Sequence, residues 1–291
     1  MEKPMSGDDI ERISFEIIDR EAPAHQFSSD EWQVSRRMIH TTGDFTIIDD
    51  IRFSSDAVSS AVEALKNGKP IYTDTNMIRA GISLARLTGI NSAYSHDSIH
   101  CHIADFDIAV KARQSGLPRS LLAVRKAAPL LEGAIILFGN APVGLMELNR
   151  MIIEEGLKPA LVVAAPVGFV HVTESKEETM GLGIPYIALR GRRGGSAVAV
   201  SILHALASLA AKKVESKTAK AIPRQASQAV ILMGHGSRVP GADSGMEQVA
   251  RSIRERLQGV MVETCSMSML GPRFGEVFES CISRGAEKVI V

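Results

Sequence analysis

Short apolar runs bounded by turn residues recur along the chain at 71–73, 134–138, 160–165, 184–189, 229–233 and 288–291. They are strand-sized and rich in Ala, Val, Ile and Leu, the composition of strands buried on both faces. Between them, 54–66, 77–87, 142–155, 194–212 and 244–258 carry apolar residues at helical spacing. This alternation predicts an α/β fold: a mostly parallel sheet with helices on both faces, plus a small partial α/β unit at the C-terminal end. Ligands of such sheets meet the loops that leave the carboxyl ends of the strands.

The rhythm breaks at 212–228, KKVESKTAKAIPRQASQ, which is polar, contains a proline and lacks an apolar pattern. It reads as a linker before a fresh strand at Ala229. The expected division is a main domain at 1–213, a linker at 214–228, and a β-α-β-α-β segment at 229–291. A piece of roughly sixty residues buries little apolar surface, so it should lean on another body or stay loosely ordered.

Charge narrows the partners. Lys and Arg total 33 and so do Asp and Glu, so there is no basic excess to hold nucleic acid or an anionic membrane. An anionic small molecule must then be met by a local basic cluster. Aromatics at 4% leave few rings for base stacking. Cys101, Cys265 and Cys281 form no CxxC pair, so neither a disulfide framework nor a sulfur-rich metal site is expected. No run approaches the roughly 18–20 apolar residues of a membrane span, and the first twenty residues are acidic where a secretory signal is basic, then apolar. A cytoplasmic protein is the expectation.

Four strings carry candidate chemistry. In Arg36-Arg37-Met38-Ile39-His40-Thr41-Thr42-Gly43, a helix ending at the glycine places His40, Thr41 and Thr42 in its last turn. Histidine is the side chain whose ordinary pKa, about 6.5, suits both giving and taking a proton; the plainer role there is compensation of the helix dipole. In Thr73-Asp74-Thr75-Asn76-Met77 a strand runs into polar groups, where Thr75 or Asn76 can cap the next helix or meet a ligand. Gly139-Asn140-Ala141-Pro142 repeats that geometry. In Arg190-Gly191-Arg192-Arg193-Gly194-Gly195-Ser196, glycines let the backbone approach a ligand and arginines grip carboxylates, so a polyanionic small molecule fits. The arginines should not be equivalent, some turning to acidic partners such as Glu174. His100-Cys101-His102 is assigned a structural role, because strand alternation sends the cysteine to the opposite face from the histidines.

Taken in order, Ser14-Phe15, Arg36 to His40, Thr73 to Met77, Asp105, Arg119-Ser120, Gly139 to Pro142, Pro166 to Phe169 with Glu174-Ser175-Lys176, and Arg190 to Ser196 resemble the precorrin-8X methylmutase family of cobalamin biosynthesis, over roughly residues 7–212. The resemblance implies an isomerase that moves a methyl group between neighbouring ring carbons of a corrinoid polycarboxylate. The product is hydrogenobyrinate, or cobyrinate when cobalt is carried within the substrate. It further implies a homodimer with active sites near the interface, no separate cofactor, His40 as proton donor and acceptor, and Ser14 and Arg37 at substrate-contacting positions. Asp74, Thr75, Asn76, Asn140, Ala141, Arg190, Arg192, Arg193, Gly194, Gly195 and Ser196 join them as expected binding residues, with Thr41 and Thr42.

From Ala229 the tail resembles the start of a class II cobaltochelatase, with His235 in Gly234-His235-Gly236-Ser237-Arg238 as a lone candidate metal ligand. One histidine makes an incomplete site. A non-catalytic corrinoid carrier would use the same arginines without turnover, and the His40 string argues against it. An RNA-binding module reading Arg190 to Arg193 as a basic patch conflicts with zero net charge.

Overall fold

A computed structural model describes residues 5–221, 228–234, 244–256, 260–266, 274–284, 286 and 288–291. The chain forms two compact units, Met1–Val214 and Glu215–Val291.

The elements run α1 (Gly7–Glu21), α2 (Ser29–Thr42), a 3-10 helix (Phe45–Asp50), β1 (Ile51–Phe53), α3 (Ala57–Lys66), β2 (Ile71–Thr73), α4 (Asn76–Gly81), α5 (Leu84–Thr88), β3 (Ile99–His100), α6 (Phe106–Ser115) and α7 (Arg119–Leu131). They continue with β4 (Ile135–Phe138), α8 (Pro142–Glu155), β5 (Leu161–Ala164), α9 (Val172–Met180), β6 (Tyr186–Leu189) and α10 (Ser196–Ala221). The second unit holds β7 (Gln228–Gly234), α11 (Ser244–Arg256), β8 (Met261–Ser266), α12 (Phe274–Ser283) and β9 (Lys288–Ile290).

The first unit's sheet has the order β1-β6-β5-β4-β2-β3. Its pairings are parallel except that β1 runs antiparallel to β6. Successive strand residues enter opposite cores, as the pleat requires. Ile71, Ile135, Leu137, Leu161, Val163, Ile187 and Leu189 pack in one core with residues of α2, α3 and α10. Tyr72, Ile136, Phe138, Val162, Ala164 and Ala188 pack in the other with residues of α7 and α8. Both faces of the sheet are therefore covered, and the loops after β2, β4, β5 and β6 leave its carboxyl ends.

Three local expectations change. The helical stretch 77–87 is two helices, because Ile82 leaves helical geometry and Ser83 caps α5 with its side chain. The break fits α10, since a Cβ on Gly81 would lie 3.0 Å from Val200 Cγ2. The supposed linker is helical up to Ala221: its Ala, Lys and Glu residues are strong helix formers even without an apolar face. Finally, β3 ends at His100, so strand alternation does not govern Cys101 and His102. His102 instead sits 2.9 Å from Asp105 through Nδ1.

In the second unit β7 is central, with β8 and β9 parallel on either side. Its small core contains Ala229, Ile231, Cys265, Val277, Cys281 and Ala286. All three cysteines are free and buried. Among the described residues no helix is long and apolar enough to cross a membrane.

Candidate active site

The site begins with how α2 is terminated. Ser28 caps its start in a reciprocal box with Glu31, and Gly43 closes it in left-handed geometry at φ 64°. His40 falls in the last turn with its side chain exposed. The Ser14 hydroxyl of α1 lies 2.7 Å from His40 Nδ1, and Phe15 meets the imidazole edge-on at 5.4 Å between centroids. The ring borders an apolar pocket of about 330 Å3 that also includes Ile10, Ile13, Ile17, Ile39 and Phe45. With Nδ1 engaged, Nε2 is the nitrogen left for proton exchange.

Arg37 does not stand free. Its guanidinium pairs with Glu11 at 2.9 Å and lies 5.2 Å from the Phe15 ring centroid. Burial alone would raise the Glu11 carboxyl, but the hydrogen bond and charge of Arg37 outweigh it and hold Glu11 below its ordinary value. Arg36, on the same turn, binds Asp19 at 2.6 Å. The Thr41 and Thr42 hydroxyls donate to carbonyls one turn back, those of Arg37 and Met38.

The β2 loop departs from expectation at Asp74. It was expected to meet the ligand; instead it is 2% exposed and accepts the amide N–H groups of Gly139, Asn140 and Ala141 at 3.1, 2.8 and 2.7 Å. Burial pushes its carboxyl up from the ordinary value, against the pull of these amides. Asp74 therefore shapes the turn after β4. Thr75 caps α4 through the Ile78 amide and lies 3.2 Å from Ser196 Oγ. Ser196 and Ala141 are themselves largely buried, whereas Asn76 and Asn140 are exposed.

The loops are stitched closely. A Cβ on Gly139 would fall 2.8 Å from Ser196 Cα, and one on Gly194 would fall 2.1 Å from the Ala165 carbonyl oxygen. Gly194 and Gly195 have φ of 159° and 126°, so glycine serves there as sequence reasoning held, but for backbone-to-backbone approach as much as for a ligand.

The three arginines separate. Arg193 reaches Asp44 at 3.0 Å, Thr46 at 2.7 Å and Asp50 at 3.1 Å, which ties the glycine-rich loop to the segment just after α2. The Thr46 hydroxyl and amide, with Arg193, hold Asp44 below its ordinary value. Arg190 is 3.8 Å from Glu177, and Arg192 lies over the exposed Phe169 ring at 5.3 Å. The acidic partners are thus Glu177, Asp44 and Asp50 in place of Glu174.

Beneath the loop, the wholly buried Lys176 donates to the carbonyls of Leu189, Gly191 and Arg193 at 2.7, 2.9 and 2.7 Å. Burial pulls it down to about 7, while three acceptors call for the three N–H donors of an ammonium. Nothing in the polar string Thr173-Glu174-Ser175-Lys176 marks it as buried. Asp44, Thr46, Asp50 and Glu11 likewise carry no mark of the site in sequence, since each draws its meaning from a partner far away in the chain.

Among the described residues no group of three or more His, Cys, Asp or Glu side chains is placed to hold a metal. His235 lies outside the described residues.

Comparison with known proteins identifies the family. The family model described as precorrin-8X methylmutase matches residues 9–209, and the one described as CbiX matches 229–291. The chain is 42% identical over 217 residues to a cobalt-precorrin-8 methylmutase of Leptospira interrogans, covering 72% of this chain and 96% of the relative. It is 36% identical over 201 residues to one from Priestia megaterium, covering 69% and 87%. A crystal structure of precorrin-8x methyl mutase from Thermus thermophilus superimposes with a TM-score of 0.66 at 40% identity, covering 71% of this chain and 98% of that one.

Proposed function

Since this chain belongs to the precorrin-8X methylmutase family, isomerases of cobalamin biosynthesis, we propose that its methyl shift acts on the cobalt-bearing substrate and turns on the His40–Ser14 pair. The pairing that carries this reading is the 2.7 Å contact of Ser14 with His40 Nδ1 beside an apolar pocket. The shift neither gains nor loses atoms, so a proton placed on the macrocycle must be recovered, and one imidazole serves as acid and then base. Ser14 orients the ring through Nδ1, and the apolar walls accept the ring face.

The substrate's carboxylates go to Arg190 and Arg192, the two arginines on the loop whose heads are least engaged with protein acids. Asn76 and Asn140, exposed at neighbouring strand ends, complete the binding edge. No separate cofactor takes part; cobalt travels within the substrate. The names of the two relatives and the CbiX match on the same chain support the cobalt form. The protein works as a homodimer in the cytoplasm.

The test is to supply purified protein with cobalt-precorrin-8 and with its metal-free counterpart and follow the absorption spectrum. Faster conversion of the cobalt form to cobyrinate is the expected result. Exclusive use of the metal-free form would overturn the cobalt assignment.

A further inference from the structure

The loop that carries Arg190, Arg192 and Arg193 has no regular secondary structure, so something else must fix where its side chains point. Arg193 restrains it at one end through Asp44 and Asp50. Along the loop itself, the carbonyls of residues 189, 191 and 193 all converge on one nitrogen, Lys176 Nζ. Gly191, at φ 68° in the turn, supplies the bend that lets all three face inward.

Two features separate this arrangement from ordinary packing. Lys176 is 0% exposed, and its ammonium meets neutral carbonyls with no carboxylate in hydrogen-bond reach. An apolar side chain of similar length would fill that space without desolvating a charge. Helix α9, moreover, has its own anchor: Asn149 donates to the Ser175 carbonyl at 3.0 Å and to Glu178 at 2.8 Å, and accepts from the Thr179 hydroxyl at 2.9 Å. Lys176 thus stands on a fixed base, and what its head group orders is the loop.

We infer that Lys176 is a positioning residue for the methyl shift, holding the loop backbone so that Arg190 and Arg192 present a preformed grip to the substrate's carboxylates. The inference rests on the proposal that those two arginines bind substrate. Lys176 itself touches neither substrate nor reacting atoms, and its removal weakens binding while leaving proton transfer at His40 intact.

The experiment compares steady-state kinetics of the full chain with Lys176→Met, which fills the stem volume without a buried charge, and with Lys176→Gln, which keeps two N–H donors on a shorter reach. The Arg190→Ala/Arg192→Ala double variant runs in parallel, and circular dichroism and thermal melting report folding. Lys176→Met should raise KM for cobalt-precorrin-8 about tenfold or more with kcat changed less than about threefold, and Lys176→Gln should fall between it and the parent. A folded Lys176→Met with KM within twofold of the parent overturns the inference, as does a loss confined to kcat. Failure of both single variants to fold overturns it too, because Lys176 would then serve the whole unit and not the loop. If the arginine double variant leaves KM unchanged, it is the carboxylate-binding proposal that falls, whatever Lys176→Met does.

Discussion

Ser14 on α1 and His40 on the last turn of α2 share a 2.7 Å hydrogen bond at Nδ1, so the imidazole is oriented by a helix other than its own. That relation makes the two residues separable by experiment. His40→Ala should abolish turnover while cobyrinate still binds, and Ser14→Ala should lower kcat by roughly tenfold, because the ring keeps its base but loses the partner that orients it. Turnover by His40→Ala at a near-parental rate, followed spectroscopically, would remove it from the mechanism.

Arg193 and Arg192 should respond in opposite ways. Arg193 has its bonds with Asp44, Asp50 and Thr46, all partly exposed, so Arg193→Ala should reduce stability by about 1 kcal/mol in denaturant unfolding. Arg192, stacked on Phe169, should leave stability unchanged when replaced by Ala and raise KM instead. Equal small effects at both would favour a solvated turn.

Asp74→Ala leaves three amides of the β4 turn without their acceptor. Destabilisation of about 3 kcal/mol should follow, measured by urea unfolding. A loss below about 1 kcal/mol would mean that water replaces the carboxylate.

His204 on α10 accepts the Ser83 amide at Nε2, 3.0 Å away, and burial lowers its pKa from 6.5 to about 4. Between those values the unfolded chain binds a proton that the folded chain does not, so this contribution to stability is complete above about pH 6.5 and is lost as pH falls towards 4. His204→Gln should flatten the acid limb of the stability profile by on the order of 2 kcal/mol, allowing for partial exposure. An unchanged limb would contradict the assignment.

In the second unit, His235 is a single candidate ligand where a stable site usually takes three or four. The chain should therefore show no useful insertion of cobalt into sirohydrochlorin, and His235→Ala should leave the methyl shift untouched. Cobalt insertion that His235→Ala abolishes would reverse this.

The parallel sheet was legible because β4 and β5 are apolar at every position, and the end of α2 was legible because Gly43 is a local signal. The small antiparallel strand β1 was not: Ile51-Arg52-Phe53 is too short to signal itself and exists by pairing with β6. The α4–α5 break likewise depends on Val200 and His204, more than a hundred residues away. At the site, the His40 string and the glycine-rich loop stand out in sequence through residue type. Asp74 misled, because a carboxylate at a strand end looks the same in sequence whether it faces ligand or backbone. Lys176, a lysine in a polar helix, carried no sign of burial at all.

The close crossing of Gly194 over the Ala165 carbonyl makes the arginine loop depend on the folded sheet. Neither residue belongs to a local turn that could form by itself; the crossing requires β5 and β6 to be paired and the loop after β6 already folded back. The arginine loop therefore has its geometry only when the sheet is formed, and an unfolded chain has no grip on substrate. Ligand then binds the native state alone, so at a hundredfold excess over Kd it should add about 2.7 kcal/mol to unfolding stability, which makes the melting temperature itself a titration of the site.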